Sequence, residues 1–135
     1  MKAQFFLFFV FFTTFFCTYS FSQGPSKDSL YVESVDFKTL TFARISCGDF
    51  ATNFKNRIKF KIINNVDTTV MLDSFLNKVK YARTSSDIDV RAKFVYDKRN
   101  GIKITVCTNG NDVLVDGRLI RRNNKFVDFL RSLTM

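Results

Sequence analysis

Residues 90–107, VRAKFVYDKRNGIKITVC, carry the clearest structural signal in this chain. Apolar side chains alternate with polar ones on both sides of a polar turn that ends in Asn100 and Gly101. Such alternation is typical of strands with one buried face, and Asn-Gly favours the tight turn of a hairpin. The stretch therefore predicts a β-hairpin. Its inward-facing residues are Val90, Ala92, Phe94, Tyr96, Ile102, Ile104 and Val106.

Polar turns on the carboxyl-terminal side extend this hairpin into a meander. Residues 109–112 (NGND) supply turn chemistry and lead into a short apolar strand at 113–115. Asp116 and Gly117 then turn the chain toward a last short strand. We therefore expect consecutive antiparallel strands in this half of the chain.

Two amphipathic helices are predicted. The first spans residues 68–82 after a cap at Asp67 or Thr68, and the second follows a cap at Asn123 or Asn124. In each, apolar residues recur at the helical spacing that places them on one face. These residues are Leu72, Phe75, Leu76 and Val79 in the first helix and Phe126, Val127, Leu130 and Leu133 in the second.

The amino-terminal half contains further β signals. Residues 57–63 (RIKFKII) predict a strand that exposes Lys59 and Lys61. Before it, the pattern favours two short strands on either side of residues 38–41 and a brief helix within residues 46–56. The residues expected to be buried in the 57–63 strand are Ile58, Phe60 and Ile62.

Together these elements predict one α+β domain over residues 30–135. Antiparallel hairpins with one apolar face, and two amphipathic helices able to cover that face, specify a two-layer sandwich with a mostly antiparallel sheet. The helix at 68–82 connects the strand at 57–63 to the strand at 90–97, which allows these two strands to be parallel through a crossover, with the rest of the sheet antiparallel.

The first 22 residues, MKAQFFLFFVFFTTFFCTYSFS, predict an export signal. Lys2 supplies the positive charge, residues 5–16 form the apolar region, and small serines precede Gln23. We expect cleavage there, a flexible leader at 23–29, and a periplasmic or extracellular location. Two alternatives stay open: residues 5–21 retained as a membrane anchor, and a lipoprotein acylated on Cys17.

Composition excludes several classes of enzyme. The chain has no histidine, which removes Ser-His-Asp, Cys-His and zinc-histidine chemistry. Without residues 1–22, 20 Lys and Arg face 12 Asp and Glu, a net charge of +8 that favours anionic partners. We expect no cofactor and no metal, since the oxygen-rich turns do not match a calcium loop.

Cys47 and Cys107 remain after loss of the signal and are a candidate disulfide in an oxidising compartment. The alternative is two buried thiols. Cys107 has the parity of Lys103 and Thr105, so it should face away from the apolar layer. The bridge therefore requires residues 46–50 to wrap around an edge of the sheet.

The same parity predicts a basic stripe on the open face of the sheet. Its members are candidates for binding an anionic surface, a polysaccharide or an acidic protein. Nucleic acid is not expected, because single-strand binders need aromatic platforms on that face and these aromatics are assigned to the core. The alternative is a solvated face that prevents edge pairing. The stripe consists of Lys59, Lys61, Arg91, Lys93 and Lys103.

The sequence thus predicts a small exported, non-enzymatic binding module that touches a membrane only through its signal peptide. There are two alternatives: an inhibitor or immunity-type protein, and an enzyme that uses Asp or Cys chemistry. No pair of carboxylates stands out as catalytic.

Overall fold

A computed structural model describes residues 27–84 and 87–135. The predicted signal peptide lies outside the described residues, as does most of the predicted leader. The strands are β1 (Ser29–Ser34), β2 (Lys59–Ile63), β3 (Ala92–Asp97), β4 (Lys103–Thr108), β5 (Val113–Val115) and β6 (Arg118–Leu119). The helices are α1 (Phe50–Asn53), α2 (Val66–Leu76) and α3 (Asn124–Thr134).

The strands form one antiparallel sheet in the order β2-β1-β3-β4-β5-β6, and α2 and α3 pack against one of its faces. This confirms the predicted α+β sandwich. The main core lies between sheet and helices and joins Leu30 and Phe94 to Leu72 of α2 and Leu130 of α3, all fully buried. Within the described ranges, no helix is long and apolar enough to cross a bilayer.

The predicted hairpin at 90–107 is confirmed. Phe94 lies opposite Val106 and Tyr96 opposite Ile104 in the pairing of β3 with β4. The turn is closed by a hydrogen bond from the Gly101 amide to the Lys98 carbonyl, 2.8 Å long, and Gly101 has the positive φ of 83° that favours glycine.

β2 and β3 are parallel and connected through α2, as the predicted crossover allows, but they do not pair with each other. β1 lies between β2 and β3 and is antiparallel to both, so β2 and β3 run in the same direction but are not neighbours. β1 can take this central place because Leu30 and Val32 are buried under the helices. Of the two strands predicted on either side of residues 38–41, the first is present as β1 but ends at Ser34, and the second is wrong, since residues 35–49 contain no strand.

The residues of β2 that face the core are not the predicted ones but their neighbours in the chain. Val32 pairs with Lys61 and Leu30 with Ile63, so Lys59 and Lys61 share the helix-side face with the core residues of β1. Phe60 and Ile62 point to the other face, where they are 59% and 51% exposed. Ile63 is the residue in phase with the core, and a shift of one residue exchanges the two faces of a strand.

Both long helices begin at asparagine caps. The Asn65 side chain accepts a hydrogen bond from the Thr68 amide, so α2 begins earlier than the predicted cap at Asp67 or Thr68. α2 ends at Leu76, because residues 80–82 pair with the segment after β6 instead of continuing the helix. The Asn123 side chain caps α3 as predicted, and Phe126 and Leu130 are buried.

A second apolar cluster lies on the opposite face of the sheet. The segment 35–58, which includes α1, covers the β4-β5 half of that face with Ile45, Phe50 and Phe54 against Leu114. Cys47 and Cys107 are bonded within this layer, with their Cα atoms 6.0 Å apart. The predicted disulfide is confirmed, and Cys107 faces away from the helices as its parity requires.

We predict that replacing both bridge cysteines, C47A/C107A, lowers the free energy of unfolding by about 4 kcal/mol, because the bridge closes a loop of 60 residues in the unfolded chain. Urea titration of the full chain measures this. C17A is the matched control and should leave the titration unchanged. Three titratable thiols in the denatured, unreduced chain, instead of one, would contradict the prediction.

Candidate anion-binding groove

The five residues of the predicted stripe do not form one surface. Lys59 and Lys61 are exposed on the helix side of the edge strand β2, whereas Lys93 and Lys103 are on the other face. Lys103 pairs with Asp97 at 3.3 Å. The prediction that these residues share one face of the sheet is therefore wrong. Anion binding by the exposed ones among them stays a prediction.

Arg91 is buried rather than exposed, with 6% of its surface accessible. Its guanidinium forms a bidentate pair with Asp89, at 2.6 and 2.8 Å, and its Nε donates to the Thr39 carbonyl oxygen at 2.9 Å. Parity correctly places Arg91 on the face opposite the helices. The segment 35–58 covers that position, and alternation within one strand cannot reveal such a cover.

The contact with Arg91 changes the pKa of Asp89. The hydrogen bonds from Arg91 lower the pKa of the Asp89 carboxyl against the opposing effect of burial, and a bond from the Ile45 amide lowers the pKa further. The ionised carboxylate thus joins β3 to the segment that covers it. The pair has a structural role, and its Arg91 side chain, only 7% exposed, is not available to an anion.

A different basic surface forms at the β6 edge of the sheet. Residues 80–82 run beside residues 119–121: the Arg121 amide donates to the Lys80 carbonyl at 2.7 Å, and the Ala82 amide donates to the Leu119 carbonyl at 2.9 Å. Tyr81 and Ile120 form the bridge between them. This pairing brings together two segments about 40 residues apart in the chain.

These segments and the start of α3 enclose a groove of about 390 Å³. Its floor includes the rings of Phe75 and Phe126, which stack with centroids 4.9 Å apart. We call this cavity the basic groove, because five exposed basic side chains line it: Lys78, Lys80, Arg121, Arg122 and Lys125.

The charged residues that line the basic groove are all positive. None of its lining residues is acidic, and none of its five cations forms a salt bridge within the described part of the chain. Arg122 is oriented by a hydrogen bond from its Nε to Asn124 at 3.1 Å. Like charges in a concave site reinforce one another and concentrate anions there. The arrangement can bind an anion, and it holds no acid or base for catalysis.

Sequence reasoning missed this site. The signal was present as two short runs without acidic residues, KVKYAR at 78–83 and RLIRRNNK at 118–125. Lys78 and Lys80 lie near the carboxyl end of the helix predicted at 68–82, where positive charge is favourable, so the sequence offers no separate reason to assign them to a binding site. Only the pairing of residues 80–82 with 119–121 makes the two runs one surface.

Two carboxylates also converge, at the far end of the sheet. The Tyr96 hydroxyl lies 3.0 Å from Asp73 and 3.2 Å from Asp28. Burial and these carboxylates raise the pKa of Tyr96 well above its usual value. Asp73 also pairs with Lys98, and Asp28 accepts a bond from the Arg99 amide, so both acids have structural partners. Among the described residues, no group of three or more His, Cys, Asp or Glu is placed to hold a metal.

We predict that Asp89→Asn lowers the free energy of unfolding near neutral pH by about 2 kcal/mol, less than for a fully buried pair because the Asp89 side chain is 38% exposed. The pKa of Asp89 is lowered on folding, so its contribution is present above the usual aspartate range and is lost as the pH falls below about 4. Thermal unfolding at several pH values should show the wild type and D89N converging in acid. The exposed Asp87→Asn is the control, and an equal effect there would contradict the prediction.

Comparison with known proteins provides no relative for this chain. No protein-family model matches it, and no match is found among the curated proteins or the solved structures compared with it. A functional interpretation therefore depends on the geometry and charge of the surfaces described above.

Proposed function

We propose that this protein is a small exported, non-enzymatic binding module that recognises an anionic macromolecule through the basic groove. The observation that carries the proposal is the convergence of five exposed cations in one concave site without an acidic residue. Export is supported by the pattern of residues 1–22 and by a disulfide, which is typical of oxidising compartments.

The shape of the groove favours a chain-like anion. A concave site lined by five exposed cations suits a polymer whose anionic groups repeat, such as an acidic polysaccharide. The guanidinium groups of Arg121 and Arg122 can each donate two parallel hydrogen bonds to a carboxylate or sulfate. An acidic protein segment would use the same chemistry, and it is the partner that the inhibitor or immunity-type alternative requires.

We predict that the triple charge reversal K80E/R121E/R122E weakens binding to heparin, used as a polyanionic probe, by at least about tenfold, since each cation near an anionic surface contributes roughly 1 kcal/mol. Salt-gradient elution and a direct titration at low salt measure the loss. The wild type should also lose affinity as salt is added, because the groove is open to solvent.

The matched control is K27E/R99E/R131E, which reverses three charges on exposed side chains outside both the groove and the predicted stripe. It changes the net charge equally and should retain most of the affinity. Equal loss in both triple variants would show that binding follows net charge alone and would contradict a groove-specific site.

A further inference from the structure

The loop of residues 36–45 presents two large apolar side chains to solvent. Leu40 is 92% exposed and Phe42 is fully exposed, more than any other large apolar residue among those described. They lie on the irregular segment that follows β1, far in the chain from the basic groove. Such exposure is unfavourable in water, so a surface of this kind indicates a contact.

This loop is held in shape rather than loose. The buried Arg91 donates to the Thr39 carbonyl at 2.9 Å and to the Thr41 hydroxyl at 3.1 Å. Asp89 accepts from the Thr41 hydroxyl at 3.2 Å and from the Ile45 amide at 2.9 Å. The Thr39 carbonyl and the Thr41 hydroxyl thus face the ion pair, whereas the side chains of Leu40 and Phe42 are exposed to solvent. The apolar tip is thus already ordered before any partner binds, which reduces the entropy lost on binding.

Exposed cations surround the apolar tip. Lys38 and Arg44 flank it in sequence, and Lys55 and Arg57 line the groove of about 530 Å³ that Leu40 and Phe42 also border. None of the four forms a salt bridge within residues 27–84 and 87–135. Asp36 is the one acidic residue of the loop, and its carboxylate accepts a bond from the Lys38 amide.

We propose that this loop docks on an anionic lipid bilayer, with Leu40 and Phe42 entering the boundary between headgroups and acyl chains and the four cations contacting the lipid phosphates. Exposed apolar groups with cations beside them match the chemistry of a membrane surface, where anionic headgroups lie next to acyl chains. The proposal goes beyond the binding of a polyanion by the basic groove, and it replaces the expectation that only residues 1–22 meet a membrane.

The test uses the full chain carrying Phe42→Trp. The chain has no tryptophan, so the single indole reports the surroundings of the loop alone, whatever residues 1–26 do. With vesicles of equimolar phosphatidylcholine and phosphatidylglycerol, its emission should shift to the blue and be quenched by lipids brominated on their acyl chains. Val70→Trp, on the exposed side of α2, is the matched control and should show neither change.

Two further variants separate the parts of the surface. Leu40→Ser in the F42W background should raise the lipid concentration needed for half the shift about tenfold, because one buried leucine is removed. R44E/K55E/R57E in the same background should abolish the preference for these vesicles over pure phosphatidylcholine.

Three results would overturn the proposal. One is an F42W emission that vesicles do not move, which would leave a protein as the partner of the tip. Another is an emission already blue-shifted without lipid, which would show that the tip is covered by the chain itself or by a second copy. The last is an equal shift in the V70W control.

Discussion

The second half of strand β4, residues 106–108, is buried on both of its faces, and most of the molecule follows from this constraint. Val106 faces the helices and Cys107 faces the opposite side, and neither is accessible to solvent. A sheet with apolar side chains on both faces needs a cover on each. Helices α2 and α3 supply one cover, and the segment 35–58 supplies the other. The Cys47–Cys107 bond attaches that second cover directly to the strand that requires it.

The second cover determines where the positive charge of the protein is exposed. It encloses Arg91, and a guanidinium in that position needs a carboxylate, which Asp89 provides. Two groups of basic residues stay accessible at the margins: beside the second cover, where Lys55 and Arg57 flank an apolar loop, and at the β6 edge, where the basic groove forms. One ion pair therefore supports the core and also shapes the loop that we propose to meet a membrane.

The two outer strands of the sheet, β2 and β6, have different surroundings. β2 is an outer strand whose lysines are exposed, an arrangement that discourages pairing with another chain. At the other end, β6 is followed by residues 120–121, and these pair with residues 80–82. That pairing turns a sheet edge into a charged groove. It also ends α2 earlier than its apolar periodicity predicts, because residues 80–82 cannot be helical and extended at once.

The sequence predicted the α+β class from the set of elements, and the disulfide from the presence of two cysteines outside residues 1–22. It also determined the local features: the hairpin at 90–107, the asparagine cap of α3 and the apolar faces of both long helices. These depend on neighbours in the chain, whose spacing is read directly from the residues. The tertiary structure alone decided that β1 lies between β2 and β3, that Ile63 rather than Ile62 meets the core, that Arg91 is buried, and that two basic runs form one groove. A period of two assigns side chains to the faces of one strand, but it does not say which strand lies alongside or what covers each face, and the charge of a surface depends on both.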